Sequence, residues 1–569
     1  MGKEVPAATD GLSPPDTPED TGPLPAPSAQ EPPADSTRAV VRQSAVMSLG
    51  TALSRLTGFL RLAAMAFALG VAESRLADAY NVANTTPNIV YDLALGGMIS
   101  SIFIPVFVER LEGEGREQAW HTARSLLTFS ILILGALMLL GIVFSEPLIR
   151  MYTYRASGPE AESMRELASF FLKWFMPQIV FYGLGAGVAT GLLNAHRRFA
   201  APMFAPIVNN LIAMATFFTF AALPGGSRPE TITDLQRYVL AIGTTLGVIG
   251  MTVALWPSLR ALGFRYRWTL DLWDRGFRKI VRLAGWAFMY VIVNQLGLLV
   301  VILLAASVQG GYTAYAAAFI FFQLPYAVFA VSIMTALLPT LSSRWLDGER
   351  DTFRLQLSRG IRGTAFIVVP AAFGYIALAE PIVRVLLEHG VMRAESTELV
   401  AGILTGFSLG LLPFCAFQLF LRAFYAMQDT RMPAIINVGA VGLNTVVNLV
   451  FFRYLQVEGL ALGHATAYTF AALVSALILR RRLGGLGGRG LAKALGQIAV
   501  AGAATGATAY AVARLMAATL GTADLGAQAI QVGAAVVAGI GCFLGLAQLF
   551  RLQELRLIRQ FVMARVGRS

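Results

Sequence analysis

Apolar residues run through this chain in fourteen stretches of about 20 residues or more, each long enough to cross a bilayer. They fall near 44–70, 78–109, 122–144, 167–194, 202–223, 237–260, 279–305, 313–341, 361–387, 397–426, 431–452, 458–480, 491–517 and 527–550. A span without water must satisfy its own backbone, so runs of this length predict helices. The expected fold is an all-α polytopic membrane protein with fourteen transmembrane helices. Prolines near both ends of two long stretches, Pro87 and Pro105 and then Pro325 and Pro339, predict kinks.

The first two stretches break the apolar pattern with polar stripes. In the first, Ser44, Ser48, Thr51, Ser54, Arg55, Gly58 and Arg61 share an arc of roughly 140° at helical periodicity. Leu49, Leu53, Leu56, Leu60 and Phe67 fill the opposite side. In the second, Asp78, Asn81, Thr85, Asn88, Asp92, Gly96 and Ser100 lie within about 120°. Each charged side chain at bilayer depth costs about 2.5–3.5 kcal/mol on insertion scales. A chain that keeps them is expected to enclose a wet cavity with an ionic ligand.

Composition supports the membrane reading. The 569 residues are 56% hydrophobic and 14% charged, where a soluble chain carries about 25% charge. Cys415 and Cys542 sit in separate apolar runs, so no disulfide framework is implied. His121, His196, His389 and His464 lack ligand spacing, so no metal and no cofactor is expected. No GxxxxGK[ST] motif occurs, hence no sign of ATP binding.

The net charge of +12 follows topology and is not read as nucleic-acid binding. With the N-terminus inside, 31 of the 45 Lys and Arg fall on that side, 9 outside and 5 within spans. Both termini are therefore expected in the cytoplasm. Residues 1–37 hold 9 of the 25 prolines and read as a disordered cytoplasmic tail. Residues 551–569 read as a basic cytoplasmic tail.

An internal repeat is also visible. NAHRRFAAP (194–202) and YAMQDTRMP (425–433) align, as do TTPNIVYDLALGGMISSIFIPVFVERLEGE (85–114) and FQLPYAVFAVSIMTALLPTLSSRWLDGE (322–349). The expected layout is a six-helix lobe over 44–260, a basic amphipathic interfacial linker over 261–278 and a second six-helix lobe over 279–480. Two six-helix bundles in this order form a parallel repeat. Two extra transmembrane helices follow over 491–550, Gly- and Ala-rich as close packing requires. The second half is less charged; its polar candidates are Asn294, Gln295, Gln323, Asn437, Asn444 and Asn448.

SRLTGFLR (54–61), ADAYNVANTTPN (77–88), LLNAHRRFAAPMFAP (192–206) and RAFYAMQDTRMP (422–433) occur in an order that resembles the MurJ (MviN) lipid II flippases. These belong to the multidrug/oligosaccharidyl-lipid/polysaccharide exporter superfamily. The resemblance, over 40–550, implies movement of lipid II, an undecaprenyl-pyrophosphate-linked disaccharide pentapeptide, to the outer leaflet by alternating access. It implies Arg55 and Arg61 as the pyrophosphate-binding residues, since guanidinium offers bidentate donors to phosphate oxygens. Ser54, Gly58, Asp78, Asn81, Thr85, Asn88 and Asp92 would line the cavity, with Asp92 pairing an arginine while the cavity is empty. Arg197, Arg198, Arg422, Asp429 and Arg431 would serve the entrance or form a structural corner, with an ion pair at the second corner. Tyr91-Asp92 and Leu95-Gly96-Gly97 depart from the family pattern, and Ala318, Phe319 and Ile320 stand where some members carry a further arginine.

The same resemblance implies a bacterial cytoplasmic (inner) membrane location, a monomer, contact with membrane lipids and cell-wall synthesis machinery as a candidate partner. The coupling ion is left open. Two alternatives stand: an exporter of another lipid-linked glycan or of drugs with the same fold, and a membrane enzyme acting on polyprenyl-linked sugars. An enzyme would need paired loop carboxylates, and 145–166 and 260–279 show none of that kind.

Overall fold

α1 (Ala34–Leu69) begins ten residues before the expected first span, within the stretch read as a tail. The computed structural model describes residues 34–96 and 103–556, and the described residues from Met47 onward pack as one unit. Most of the 1–37 tail, residues 557–569, Gly97, Ser100 and the side chains of Ser44 and Ser48 lie outside the described residues. α2 (Leu76–Tyr91) runs into a π-helical turn at Asp92–Gly96, and α3 (Ile104–Gly113) and α4 (Arg116–Val143) follow. α5 (Ser145–Tyr152) and α6 (Ala161–Phe175) lead to α7 (Gln178–Tyr182), a π-helical stretch at Gly183–Ala189 and α8 (Thr190–Ala195). α9 (Ala200–Ala222) and α10 (Asp234–Arg260) close the first half.

The second half opens with α11 (Arg275–Ala305), α12 (Gly311–Pro325), a π-helical turn at Tyr326–Ala330 and α13 (Val331–Leu346). Then come α14 (Arg350–Leu387), α15 (Ala394–Leu409), α16 (Leu411–Ala426), α17 (Arg431–Leu483), α18 (Gly488–Leu520) and α19 (Leu525–Leu549). Among the described residues, eleven helices are long and apolar enough to cross a membrane, or twelve if α15 and α16, bent by 47°, form one. The fold is all-helical, and the described residues contain no strand. α17 has 53 residues, about 80 Å if straight. It breaks at Gln456, whose φ of 50° and ψ of −133° are not helical.

The expected proline kinks take a particular form. Pro105 lies in the first turn of α3, where its missing N–H costs nothing. Pro325 ends α12 directly before a π-helical turn. The π-helical turns at Asp92 and Tyr326 begin 234 residues apart, the same offset that separates Pro105 from Pro339. The two aligned corners also match in backbone detail. Arg197 and Gln428, 231 residues apart, have φ of 56° and 60°. Arg197 N–H donates to Asn194 O and Arg198 N–H to Leu193 O; Gln428 N–H donates to Tyr425 O and Asp429 N–H to Phe424 O.

Lipid-facing positions follow the periodicity. Leu49, Leu56, Leu60 and Phe67 of α1 are exposed, as an apolar face toward hydrocarbon should be. α18 and α19 lie against α14 through a small-residue face. A Cβ at Gly506 would meet the Phe373 carbonyl oxygen at 3.0 Å, tighter than ordinary packing, so glycine eases this approach. Phe366 and Phe543 pack edge to face at 5.0 Å in the same seam.

The linker carries no helix over residues 264–274. It lies as a strap along α4. Phe264 packs on Trp120 at 5.1 Å, Arg124 Nε donates to Arg265 O at 3.1 Å, and Asp271 N–H donates to Ser125 Oγ at 3.3 Å. It ends at Asp274, which caps α11 by accepting from Phe277 N–H at 2.9 Å. Arg110 Nη1 reaches the same carboxylate at 2.6 Å, and both side chains are buried. Trp268 and Trp273 point outward from the strap, 64% and 80% exposed.

Candidate functional site

Helical spacing brings Thr51, Ser54, Arg55, Gly58 and Arg61 to one wall of a cavity of about 340 Å³. Pro202, Met203, Pro206 and Asn210 of α9 and Ile320, Gln323 and Leu324 of α12 complete it. Asn210 fixes α1 there: its Nδ2 donates to Ser54 O at 3.2 Å and to Thr57 Oγ1 at 3.0 Å. Arg55 is exposed and Arg61 half-buried. Neither meets a carboxylate within ion-pair distance among the described residues. Ten N–H donors on two planar forks therefore face a cavity without an internal anion among the described residues.

The second polar stripe is placed differently. Asp78 is fully buried and does not line the arginine cavity. It accepts from Gly310 N–H at 2.7 Å, Thr313 N–H at 3.0 Å and Thr313 Oγ1 at 2.8 Å, capping the first turn of α12. Asn81 Nδ2 also donates to Thr313 Oγ1 at 3.1 Å, and Thr85 Oγ1 meets the Tyr312 hydroxyl at 2.9 Å. Asn88 turns back to Asn84 O at 3.1 Å. This stripe zips the first half to the second; of the pair, only α1 supplies wall to the arginine cavity.

Asp92 does not pair with an arginine. Its carboxylate accepts from Gln295 Nε2 of α11 at 3.1 Å. The physical reason is where the turn packs: Asp92–Gly96 lies against α11, so the carboxylate meets Gln295 there and not an arginine of α1.

Further bonds extend the zip. Glu73 accepts from Val71 N–H at 2.7 Å, Arg393 N–H at 2.5 Å and Ser396 Oγ at 2.7 Å. Arg75 Nη1 donates to Ala306 O at 3.2 Å, and Gln309 Nε2 to Ala72 O at 2.9 Å. Sequence reasoning missed Glu73 and Arg75 because their partners in the second half are carbonyls, an amide and a hydroxyl more than two hundred residues away.

At the corners, Arg197 and Arg198 are exposed. The expected ion pair among Arg422, Asp429 and Arg431 does not form. Asp429 instead pairs with Arg482 Nη1 at 2.7 Å and accepts from Arg431 and Met432 N–H, both at 3.0 Å. Burial raises its pKa, but the Met432 N–H and the Arg482 guanidinium outweigh that and hold it below the ordinary carboxylate value. Arg482 reached this site unforeseen because it closes α17, 53 residues on.

The family model described as "Lipid II flippase MurJ" matches residues 65–528, beginning just past Arg61. A "Probable lipid II flippase MurJ" of Rhizobium meliloti (strain 1021) is 29% identical over 442 residues, 77% of this chain and 80% of that one. One of the same name from Bdellovibrio bacteriovorus is 27% identical over 531 residues, 92% of this chain and 97% of that one. A solved structure described as "Lipid II flippase MurJ, inward closed conformation" superposes with a TM-score of 0.71 at 23% identity, covering 89% of this chain and 98% of that one. An inward-facing multidrug resistance MATE family transporter of the MOP superfamily gives 0.60 at 15% identity, covering 78% and 99%. An all-helical chain with a cationic cavity between its halves, matched over most of its length by one family model, belongs to the lipid II flippase MurJ family.

Proposed function

We infer that this chain carries lipid II from the inner to the outer leaflet of the bacterial cytoplasmic membrane by alternating access, and that Arg55 and Arg61 receive its pyrophosphate. The observation that carries this is the pair of arginines without carboxylate partners on one cavity wall. A diphosphate recovers in charge-assisted hydrogen bonds what the guanidinium groups forgo in the empty cavity. Moving a head group through a wet cavity avoids its desolvation in hydrocarbon, so no covalent chemistry is required and the chain acts as a transporter rather than an enzyme. Export of cationic drugs fits less well, because the only charged side chains on the described cavity wall are the two arginines.

The same reading has fourteen spans, both termini in the cytoplasm and two six-helix lobes over 44–260 and 279–480. What supports the count is that, beyond the twelve, the break at Gln456 makes two spans of α17, and α2 with α3 makes one more. Matching corners and π-helical turns support the repeat. The lysine and arginine distribution then puts the Asp78 and Glu73 contacts at the outer end and opens the arginine cavity inward. The strap over 261–278 would rest at the inner interface through Trp268 and Trp273.

The test is lipid II movement across the membrane in cells depleted of their own flippase. The wild-type chain should restore it and an expressed, folded Arg55→Ala/Arg61→Ala variant should not. Restoration by both would reduce the arginines to structure; restoration by neither would point to another lipid-linked glycan.

A further inference from the structure

A second cavity, of about 420 Å³, lies between α11, α12 and α17. Ile320 belongs to its wall and to that of the arginine cavity, so the two are neighbours. Their chemistry differs. Among the described residues, no Asp, Glu, Lys or Arg lines the second cavity; its polar groups are three asparagines, three tyrosines and His464.

Several of these polar groups lack partners. Asn437 is 3% exposed, yet its Nδ2 has no hydrogen-bond partner among the described residues. His464 Nδ1 is likewise buried and unpartnered. Asn444 spends its Oδ1 on Asn448 Nδ2 at 3.0 Å, and Asn294 spends its Nδ2 on Tyr290 O at 2.8 Å. Asn444 thus keeps an amide donor for the cavity, and Asn294 an amide acceptor. Around them stand aromatic rings: Tyr468 is 4.5 Å from His464, and Tyr315 stacks on Phe319 at 6.4 Å.

Buried polar groups without partners cost stability, and a site that keeps several of them is completed by what binds there. A cation does not fit, because two of the free groups are amide donors. An anion finds no charge. A neutral ligand with both donors and acceptors, and with flat apolar faces for the rings, satisfies the whole set. Hydroxyl and acetamido groups on a sugar ring have that chemistry. We propose that this second-half cavity is the subsite for the uncharged glycan of the lipid-linked head group, beside its pyrophosphate. The proposal rests on the pyrophosphate reading of Arg55 and Arg61.

The test measures binding of peptide-free undecaprenyl-pyrophosphate disaccharide and of undecaprenyl pyrophosphate, which lacks only the glycan, to the full chain in lipid nanodiscs. Asn437→Ala and Asn444→Ala should each weaken binding of the disaccharide lipid by about tenfold and leave undecaprenyl pyrophosphate binding unchanged. Arg55→Ala/Arg61→Ala should weaken both. Asn294 is half-buried and its one bond is to a helix carbonyl, so Asn294→Ala, with the same expected loss, guards against a variant that merely fails to fold. Variants that keep the wild-type ratio of the two affinities, or lose both ligands alike, overturn the glycan subsite alone. A wild-type chain that does not bind undecaprenyl pyrophosphate overturns the arginine reading, and this proposal with it.

Discussion

Asp78 and Thr313, 235 positions apart, meet through two hydrogen bonds, one from the Thr313 backbone at 3.0 Å and one from its hydroxyl at 2.8 Å. With Gly310 N–H at 2.7 Å, a single carboxylate thus ties the start of α2 to the start of α12. Hydrogen bonds to a charged group contribute about 1.5–3 kcal/mol each. Asp78→Ala should therefore loosen this contact by at least about tenfold, the loss of one such bond. A cysteine placed at Thr85, beside Tyr312, should react faster with an externally added impermeant thiol reagent in that variant. Unchanged labelling would mean that Glu73 and Arg75 hold the contact alone.

The arginines should separate activity from stability. Removing an unpaired cation at bilayer depth relieves an insertion cost, so Arg55→Ala/Arg61→Ala should melt no lower than wild type. Its transport should nonetheless fall by at least about tenfold, the loss of one charged hydrogen bond. Arg→Lys at both positions should recover only part of the activity, because an ammonium cannot form the bidentate fork. A melting temperature well below wild type would mean that the side chains hold the fold.

Arg110 and Asp274 form the buried pair that anchors the strap, at 8% and 6% side-chain exposure. Arg110→Ala leaves the carboxylate buried without its cation and should cost about 3–5 kcal/mol. Burial pushes the Asp274 carboxyl up, but the Phe277 N–H, the Thr122 hydroxyl and Arg110 hold it below the ordinary value of 3.8. A folded value below the unfolded one means that this contribution is complete above that pH and is lost as pH falls through the lowered folded value. Thermal melts from pH 6 down to pH 3 should fall more steeply for wild type than for Asp274→Asn.

Gln428 holds a left-handed conformation at φ 60°, where glycine carries no Cβ penalty. Gln428→Gly should raise stability by about 1 kcal/mol, read as a melting temperature a few degrees higher. Arg197→Gly should do the same at the matching corner.

Much of this was legible in the sequence because it depends on local spacing. The stripe of Ser54, Arg55, Gly58 and Arg61 needs only a helical period to share one wall, and it does. The corners over 194–202 and 425–433 were legible as an alignment, and their backbones agree. Asp78 was not legible, because its partner is a helix start 232 residues away that no periodicity identifies. Asp92 was misplaced because its partner, Gln295, lies 203 positions away on α11, where no spacing identifies it. Asn437 and Asn444 were visible as polar breaks in an apolar run; that they share a cavity with His464 required the fold.

The paired π-helical turns have a mechanical consequence. Each holds one residue more per turn than its flanking α-helix, so drawing that surplus into regular α-helix rotates the rod beyond it by about 100° and advances it by about 1.5 Å. Asp92–Gly96 and Tyr326–Ala330 store this slack in corresponding spans of the two halves. Either span can thus act as two rods on a slip joint, re-aiming its far end while its near end stays docked. Short connections such as the four residues between α8 and α9 then need not stretch for the helices to swing.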